Sequence, residues 1–326
     1  MKSFAFAAVF AAANAMSTVE FEYMQYCAQY NKVTNDVDEF NFRMGNFAIV
    51  DKFIKENNSG NETHVAGHNQ FSDWSHAEYK SILGYVRGEA DVRNVKIFDE
   101  SMNADSLNWV DAGAVTPVKD QGQCGSCWAF SSTGSLEGAH FVASGELLSF
   151  SEQQLVDCAT IRYGNMGCNG GLQDNAYKYF EKTGADAMLE SAYPYTSGGG
   201  DDSTDCLYDA SQATNVTVKS YVDVTPSNPS QMMAALNTQP LAVAIEADKM
   251  VFQTYHSGVL TSSKCGTNLD HAVLAVGYGT EDGQDYWLVK NSWNTTWGDQ
   301  GYIKLGRDSS DGVCGVQIDP NQPSTN

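Results

Sequence analysis

Residues 121–130, Gln-Gly-Gln-Cys-Gly-Ser-Cys-Trp-Ala-Phe, constrain the fold of this chain more than any other stretch. Gly122 and Gly125 allow the backbone a positive φ or a close approach to other groups. No proline interrupts residues 127–144 and a glycine follows at 145, so a helix is predicted there. Cys127 would lie in the first turn, where the positive end of the helix dipole favours the nucleophilic thiolate.

The same stretch permits more than one chemistry. Gln121, six residues before Cys127, carries an amide NH2 that can fold back towards the sulfur. With the Cys127 backbone N–H, it would supply two donors to a single oxyanion. However, Cys124 and Cys127 also form a C-x-x-C pair, which is typical of a thioredoxin-like redox centre or of half a zinc site. The nucleophile, redox and zinc interpretations all stay open on these residues alone.

Charge and the N-terminus limit the partners and the compartment. The chain has 326 residues and a formal net charge of −21, whereas binding nucleic acid or an anionic membrane requires a basic surface. A basic start, an apolar run and Ala-Asn-Ala predict a signal peptide over residues 1–15. No apolar run is long enough to span a bilayer, so we expect entry into the secretory pathway, where disulfides form. Four N-x-S/T sequons fit this expectation, although the pattern is common by chance, and they begin at Asn57, Asn61, Asn215 and Asn294.

Residues 16–102 differ in pattern from the rest of the chain. A helix is predicted over residues 37–57, and five residues recur along one side of it. These are Glu39, Arg43, Phe47, Ile54 and Asn58. A Gly-His-Asn-Gln-Phe-Ser-Asp stretch follows at residues 67–73, then a short helix near 75–83 and a charged linker at 84–105. Periodicity alone leaves open whether this segment is a permanent helical domain.

The remaining residues, 103–326, are helical first and strand-rich later. Ser151-Glu152-Gln153-Gln154 fits a capping box that begins a helix, and a further helix is predicted over 172–182 before Gly184. Short β-rich runs then occur at 216–218, 241–245, 272–276, 286–289 and 302–305. This order predicts an α+β fold of two lobes, with the helix of Cys127 at their boundary.

A nucleophilic Cys127 requires a base within reach. His140 lies on the same predicted helix, about 20 Å away at 1.5 Å per residue, and therefore cannot serve. His256 has a turn-like context that is typical of a surface histidine. His271 follows Asp270 and opens an apolar run, so it is placed at the start of a strand.

Residues 291–297 provide a partner for that histidine. Asn291 follows the predicted strand at 286–290, so its amide can accept a hydrogen bond from the imidazole of His271 and set its tautomer. Trp293 and Trp297 can shield that hydrogen bond from water. Cys127, His271 and Asn291 are therefore predicted to meet.

With these residues in place, the chain resembles the papain-like cysteine proteases of the cathepsin L type. Their C-G-[SA]-C-[WY] signature appears at residues 124–128, with His271 and Asn291 at 144 and 164 residues after Cys127. Residues 37–58 resemble the pro-segment motif E-x3-R-x3-F-x2-N-x3-I-x3-N, except that Val50 replaces the internal Asn. Residues 67–73 match the second pro-segment motif, G-x-N-x-F-x-D. The resemblance covers nearly the whole chain and favours the nucleophile over the redox and zinc interpretations.

The resemblance implies a fold and a chemistry. The fold is papain-like, with a helical lobe and an antiparallel β-barrel-like lobe that follow a helical pro-segment. The implied activity is that of a cysteine endopeptidase without metal or cofactor, in which Cys127 and His271 form a thiolate–imidazolium pair and a thioester intermediate. Gln121 and the Cys127 N–H would hold the oxyanion, and Asn291 would orient His271. The implied disulfides are Cys124–Cys168, Cys158–Cys206 and Cys265–Cys314, which leaves Cys27 without an assigned partner.

The resemblance also implies substrate contacts. These positions are Gly125, Gly171, Leu172, Gln173, Ala244, Leu269, Asp270, Trp293 and Asp319. Asp319 falls where such enzymes often have a small residue and some relatives have an acid, and it predicts a pocket for the P2 side chain that takes Arg as well as Leu or Phe. The alternative is that Pro320 redirects the chain and the short Asp319 side chain points to solvent. No histidine pair lies between Cys168 and Cys265, which favours an endopeptidase over a carboxypeptidase.

One departure from the family pattern lies close to the predicted site. Asn294-Thr295-Thr296 stands where the family usually has glycines flanking a variable residue. A side chain at such a position is costly if φ is positive. The departure also creates one of the sequons.

The family pattern implies a preproenzyme with a signal peptide (1–15), an inhibitory pro-segment (16–102) and a mature peptidase domain (103–326), activated at acidic pH. Pro-segment and core carry net charges of −6 and −16, so specific contacts of carboxylates such as Asp73 and Glu39 are expected to matter. Expected partners are polypeptide substrates, the pro-segment itself and cystatin-type inhibitors, with no nucleic acid. We expect a monomer in the lysosome, a vacuole or outside the cell. The alternative is a non-catalytic papain-like binding or storage protein, which the filled catalytic positions disfavour.

Overall fold

The computed structural model describes residues 17–86, 94–201, 205–307 and 311–326, so the predicted signal peptide lies outside the described residues. The helices are α1 Thr18–Tyr30, α2 Val37–Asn58, α3 His76–Ser81, α4 Cys127–Ser144, α5 Glu152–Cys158, α6 Gln173–Thr183, α7 Pro229–Leu236 and α8 Met250–Gln253. The strands are β1 His64–Ala66, β2 Val95–Lys96, β3 Leu107–Asn108, β4 Val218–Val224, β5 Leu241–Ile245, β6 Tyr255–Leu260, β7 His271–Glu281, β8 Gln284–Lys290, β9 Tyr302–Gly306 and β10 Asn321–Thr325. Among the described residues, no helix is both long and apolar enough to cross a membrane.

The helix ends follow local signals in the sequence. Helix α4 ends at Ser144 because Gly145 adopts a φ of 78° and its N–H binds the Phe141 carbonyl. Helix α6 ends in the same way before Gly184, with a φ of 65°. The Ser151 hydroxyl caps α5 by accepting from the Gln154 N–H at 3.0 Å. The β-rich runs correspond to β5, β7, β8 and β9, whereas the run predicted at 216–218 begins a strand only at Val218.

Helix α1 has no counterpart among the sequence predictions. Its buried residues, Tyr23 and Tyr26, pack against Phe47 of α2 with ring centroids 5.5 and 5.2 Å apart. Ser17 caps its first turn by accepting from the Glu20 N–H at 3.1 Å. The helix is therefore stabilised by packing against α2, which local periodicity does not report.

The strands form one sheet in the order β1-β6-β9-β8-β7-β5-β10-β4-β2, with β3 paired to β7. Helix α4 packs against β7 and β10 on one side and against α5 and α6 on the other. Gly134 and Gly138 allow this approach, since a Cβ would lie 2.9 Å from Leu274 and 2.5 Å from Pro240, respectively. Helical and strand-rich halves thus meet along α4, and the predicted mixed fold is confirmed.

Three disulfides join the pairs implied by the resemblance. Cys124–Cys168 and Cys158–Cys206 lie in the helical half, and Cys265–Cys314 lies in the strand-rich half. Such a bond typically stabilises a fold by roughly 2–4 kcal/mol. Cys27 and Cys127 remain free.

The N-terminal segment docks on the strand-rich half through backbone and aromatic contacts. Strand β1 adds to the edge of β6 in antiparallel register. The Phe71 and Tyr79 rings meet Trp293 edge-on at 5.3 and 5.6 Å. The Asn69 amide donates to the Gln253 carbonyl at 2.6 Å.

The two carboxylates predicted to be hydrogen-bonded or paired have such partners, and these partners lie within the N-terminal segment. Asp73 pairs with Lys32 at 3.0 Å and accepts from the Tyr26 hydroxyl at 3.1 Å. Glu39 accepts from the Asn35 N–H and side-chain amide, each at 2.8 Å. Both carboxylates therefore stabilise the fold of the segment rather than its contact with the core.

Candidate active site

Cys127 lies at the N-terminus of α4, as predicted, and its side chain is fully buried. Its Sγ accepts from the Gly84 N–H at 3.3 Å and from the Ala272 N–H at 3.4 Å. The first contact comes from the N-terminal segment, and the second comes from β7, next to His271. The sulfur therefore lies between the two halves and beneath the N-terminal segment.

His271 opens β7 and is fully buried. Its Nε2 lies 2.8 Å from the Asn291 Oδ1, which also accepts from the Ser292 N–H at 2.8 Å. Because an amide oxygen only accepts, this arrangement places the proton on Nε2. The Nδ1 atom has no hydrogen-bond partner among the described residues. The ring stacks on Trp293 with centroids 4.5 Å apart, which covers the His271–Asn291 pair on one face.

Gln121 directs its amide at a carbonyl of the N-terminal segment. Its Nε2 donates to the Ile82 oxygen and to the Cys124 oxygen, each at 2.8 Å. The Ser292 hydroxyl donates to its Oε1 at 2.7 Å, which fixes the side of the amide that carries the donors. The Gln121 amide, which was predicted to bind an oxyanion, therefore binds the Ile82 carbonyl in this state.

Burial keeps the thiol and the imidazole neutral in this state. It raises the pKa of Cys127 to about 12, despite hydrogen bonds from Ala272 and Gly84 that oppose the shift. Burial also lowers the pKa of His271 to about 4, although the bond to Asn291 opposes it. Burial therefore disfavours the expected thiolate–imidazolium pair while the N-terminal segment covers the site, because neither charge is solvated there.

The sequence predicted that a linker starts at residue 84. Residues 84–86 instead lie in a cleft between the two halves of the molecule, next to Cys127. Gly171 donates its N–H to the Gly84 oxygen at 2.8 Å and accepts from the Val86 N–H at 3.2 Å. This pairing is parallel. A Cβ at Gly84 would lie 1.7 Å from the Gly125 oxygen, so only glycine fits. The predicted linker also contains strand β2, which pairs with β4. Neither residues 84–86 nor β2 is therefore the unstructured linker that was predicted.

Tyr85 fills a pocket beside Cys127. Its ring is 5% exposed and packs in a cluster of apolar side chains. The cluster consists of Cys127, Leu172, Ala244, Leu269 and Ala272. The Tyr85 hydroxyl donates to the Asp319 carboxylate. Three predicted pocket residues, Leu172, Ala244 and Leu269, thus meet around one aromatic ring with Asp319 at its far end.

Two other predicted substrate contacts are placed differently. The Gln173 amide is buried and donates to the Ser131 hydroxyl and to the Val243 carbonyl, each at 3.2 Å. It therefore braces α6 against α4 and β5 and is not offered to a ligand. Asp270 contributes its main-chain oxygen, which accepts from the Tyr85 N–H at 3.0 Å. Its carboxylate instead accepts from the Ala247 N–H at 2.7 Å, and burial raises its pKa to about 7.

The departure at Asn294 has a backbone explanation. Its φ is 62°, the left-handed region for which the family's glycine is suited. Asn is among the residues that tolerate this region best, so the loop is kept with a side chain in place.

Sequence reasoning did not single out Gly84, Tyr85 or Ser292. Gly84 and Tyr85 follow a short predicted helix and carry no periodic or motif signal. Ser292 was visible within Asn-Ser-Trp, but its bond to Gln121 links residues 171 positions apart. No group of three His, Cys, Asp or Glu in the described part of the chain is placed to hold a metal ion.

A buried first-turn thiol, a histidine oriented by an amide and a covering N-terminal segment define a thiol-dependent hydrolase held in a precursor form. The comparisons with known proteins agree. A family model described as papain family cysteine protease matches residues 103–324, and one described as cathepsin propeptide inhibitor domain matches residues 23–79. The chain therefore belongs to the papain family of cysteine proteases.

Individual relatives support the same assignment over nearly the full length. The chain is 40% identical to digestive cysteine proteinase 1 of Homarus americanus, covering 95% of this chain and 96% of that protein. It is 41% identical to a cathepsin L-like peptidase of Aedes aegypti, covering 96% of each. Digestive procathepsin L 3 of the Tenebrio molitor larval midgut superposes with a TM-score of 0.82 at 36% identity, covering 94% and 99%. The protein is a cathepsin L-like cysteine endopeptidase in zymogen form.

Proposed function

We propose that this endopeptidase uses Cys127 as its nucleophile and His271 as its acid–base group, with Asn291 orienting His271. The observation that carries the proposal is the alignment of a first-turn thiol, the Asn291-bound imidazole and the Gln121 amide around one stretch of the N-terminal segment. A substrate would take the place of residues 82–86 after the segment leaves. Gly125 and Gly171 would then face the substrate backbone.

Catalysis would proceed by acyl transfer. The Cys127 thiolate attacks the scissile carbonyl carbon, and the Gln121 amide and Cys127 N–H hold the resulting oxyanion. His271 gives its proton to the departing amine, which leaves a thioester on the sulfur. His271 then takes a proton from water, whose oxygen attacks the thioester and releases the acid and the thiolate. Trp293 shields the His271–Asn291 bond throughout.

A thiol-directed epoxide tests these roles against those of a non-catalytic binding or storage protein. Mature enzyme should be labelled at one residue, identified by mass spectrometry as Cys127, with complete loss of peptide hydrolysis. Cys127→Ala should abolish both labelling and hydrolysis, whereas Cys27→Ser should leave both intact after maturation. Hydrolysis that survives in Cys127→Ala would refute the assignment.

The proposed domain limits are a signal peptide at residues 1–15, a pro-segment at 16–102 and a mature domain at 103–326. The two family matches, which end at residue 79 and begin at residue 103, support this division.

Acid would trigger removal of the pro-segment. Asp73→Asn should change the pH profile of autoprocessing, since Asp73 holds Lys32 and two tyrosines in the segment. An unchanged profile would contradict that role.

The P2 pocket is proposed to accept both apolar and basic side chains. The placement of Tyr85 supports this, because its ring lies on apolar walls while its hydroxyl reaches Asp319. An Arg at P2 could lay its stem on the same walls and pair its guanidinium with that carboxylate. The test is kcat/KM for Phe-Arg and Arg-Arg reporters, for which Asp319→Ala should lower the Arg/Phe ratio. A ratio that does not fall would refute the idea.

The enzyme is proposed to act as a monomer on polypeptides, in a lysosome, a vacuole or outside the cell. Its relatives include digestive proteinases, which supports entry into the secretory pathway. Cystatin-type proteins are proposed inhibitors, since the cleft that binds residues 82–86 is open to an extended chain once the pro-segment leaves.

A further inference from the structure

The sequon at Asn294-Thr295-Thr296 lies in a loop held between two buried tryptophans. Trp293 and Trp297 are 1% and 0% exposed, whereas the three residues between them are all exposed. The two indole rings meet edge-on at 5.2 Å, which anchors both ends of the loop. The side chains of the sequon therefore point to solvent from a fixed backbone.

Asn294 offers its amide nitrogen to solvent. Its Oδ1 accepts from the Thr295 N–H at 2.6 Å, and its own N–H donates to the Lys119 carbonyl at 3.0 Å. Its Nδ2 makes one long contact, 3.4 Å from the Asp120 carboxylate. A glycosylated amide retains one N–H, so that contact is compatible with a sugar on Nδ2.

We propose that Asn294 carries an N-linked glycan that stands at the Trp293 end of the cleft. In the transfer, Nδ2 forms a bond to the anomeric carbon of an oligosaccharide, the lipid diphosphate that carried the sugar leaves, and the amide loses one proton. The co-reactant is the lipid-linked oligosaccharide of the secretory pathway. The Thr296 hydroxyl meets the requirement of the sequon.

The other sequons provide internal comparisons. Asn57 is 7% exposed, so a folded chain cannot carry a glycan there. Asn61 is exposed but lies in the proposed pro-segment, and its glycan would be lost on maturation. Asn215 is exposed on the loop before β4, and the residues that follow it bond to Ala187 and Asn326 rather than to groups around Cys127. Asn294 is therefore the sequon whose glycan would both persist in the mature domain and border the cleft.

The N-terminal segment shows which end of the cleft is affected. Its Gln70 amide donates to the Trp293 carbonyl at 2.7 Å and accepts from the Thr296 hydroxyl at 2.9 Å. At the other end, Tyr85 reaches Asp319. A glycan next to Trp293 would thus narrow the Trp293 end of the cleft and leave the Asp319 pocket at the opposite end open. This consequence rests on the proposed function, because it assumes that substrates replace the segment in the cleft.

Occupancy is tested on full-length protein secreted from a eukaryotic host. Cleavage after Lys290 and Lys304 releases one peptide, residues 291–304, that holds only this sequon. We expect it to carry a glycan mass that peptide N-glycosidase removes, converting Asn294 to Asp. The Asn57 peptide should be unmodified. An unmodified 291–304 peptide overturns the proposal, whatever the activity of the protein.

The effect on access is tested on mature enzyme trimmed with an endoglycosidase under native conditions, which leaves the sequence unchanged. We expect kcat/KM for a dipeptidyl coumarin reporter to stay the same and cleavage of a folded protein substrate to rise several-fold. Asn294→Gly, which suits a φ of 62°, should reproduce the gain, and Asn215→Gln should not. Equal cleavage of the folded protein before and after trimming would refute the proposal that the glycan restricts access to the cleft. If neither form cleaves any reporter, the proposed function fails while the occupancy result stands.

Discussion

Among single residues, solvation is what most affects the predicted catalytic pair in the precursor. Cys127 and His271 lie on the elements expected of them, yet burial drives both towards their neutral forms. The Gln121 amide is bound to a main-chain carbonyl of the pro-segment, which occupies the place proposed for the oxyanion. Departure of the pro-segment would therefore release the Gln121 amide and expose the proposed catalytic pair to solvent.

Alkylation should report this change directly. In a Cys27→Ser background, Cys127 of the precursor should react slowly with iodoacetamide at pH 8, where a pKa of about 12 leaves roughly one thiol in ten thousand ionised. Its rate should rise about tenfold per pH unit, because only the thiolate reacts. After removal of the pro-segment, the reaction should be fast and nearly independent of pH above neutrality. Equal rates in the two forms would show that the pro-segment does not control ionisation.

Gln121→Ala should lower kcat of the mature enzyme by about 10²–10³, the usual effect of losing one oxyanion donor. KM should change little, since the donor matters most in the transition state. Gln123→Ala is the matched control, because Gln123 is exposed two residues away. Steady-state kinetics on a dipeptidyl reporter distinguish them, and a loss of equal size in both variants would indicate disruption of the loop instead.

Among the elements, short segments of the N-terminal region hold it on the core. Residues 82–86 pair with Gly171, β1 adds to the edge of β6, and α3 places Tyr79 against Trp293. Each of these contacts depends on backbone groups or aromatic rings. Two ion pairs, Lys80–Asp248 and Lys264–Glu62, add attraction between opposite charges at 3.3 and 3.4 Å. Such local pairs are compatible with a pro-segment and a core that are both acidic overall.

Gly84→Ala should weaken inhibition by the pro-segment. The added Cβ would lie 1.7 Å from the Gly125 oxygen, so the segment must leave the cleft or distort. We expect faster epoxide labelling of Cys127 in the unprocessed precursor at neutral pH, and unchanged kinetics after maturation. Gly45→Ala adds the same methyl to an exposed position of α2 with nothing within 4 Å, and it should leave labelling unchanged. Equal labelling of all three precursors would contradict this account of Gly84.

For the molecule as a whole, we predict that docking of the pro-segment depends on pH. His64 of β1 is 3% exposed, stacks on Tyr255 of β6, and neither ring nitrogen has a hydrogen-bond partner among the described residues. Burial lowers its pKa from 6.5, and Glu62 and Lys264 nearby act in opposite directions. The undocked imidazole therefore binds protons more readily than the docked one. Docking should weaken as pH falls through 6.5 towards the docked pKa.

His64→Phe keeps the stacking and removes the titration, so autoprocessing of this variant should require a lower pH than that of the wild type. His76→Gln, at an exposed pro-segment histidine, is the control and should process like the wild type. Gel-based processing rates across pH 4–7 provide the measurement, a range that runs from about 2.5 units below histidine's usual pKa to just above it. An unshifted profile in His64→Phe would exclude His64 as a sensor of pH.

Several elements follow from local chemistry and could be predicted from the sequence. Gly145 and Gly184 end helices because they adopt positive φ without strain, and Ser151 begins one because its hydroxyl caps the first turn. Alternating or continuous apolar runs located β5 and β7 within a few residues. The first-turn cysteine and the strand-start histidine were recognisable because their chemistry needs those positions.

Contacts between residues far apart in the chain could not be predicted in this way, because they depend on tertiary packing. Tyr85 reaches Asp319, 234 residues away, and Gln173 turns its amide to the core rather than to a ligand. Asp73 proved to bind within its own segment, and α1 formed through packing that has no local signal. The physical reason is the same in each case. Burial and hydrogen-bond satisfaction depend on what the folded chain places nearby, and neighbouring residues in sequence do not specify that.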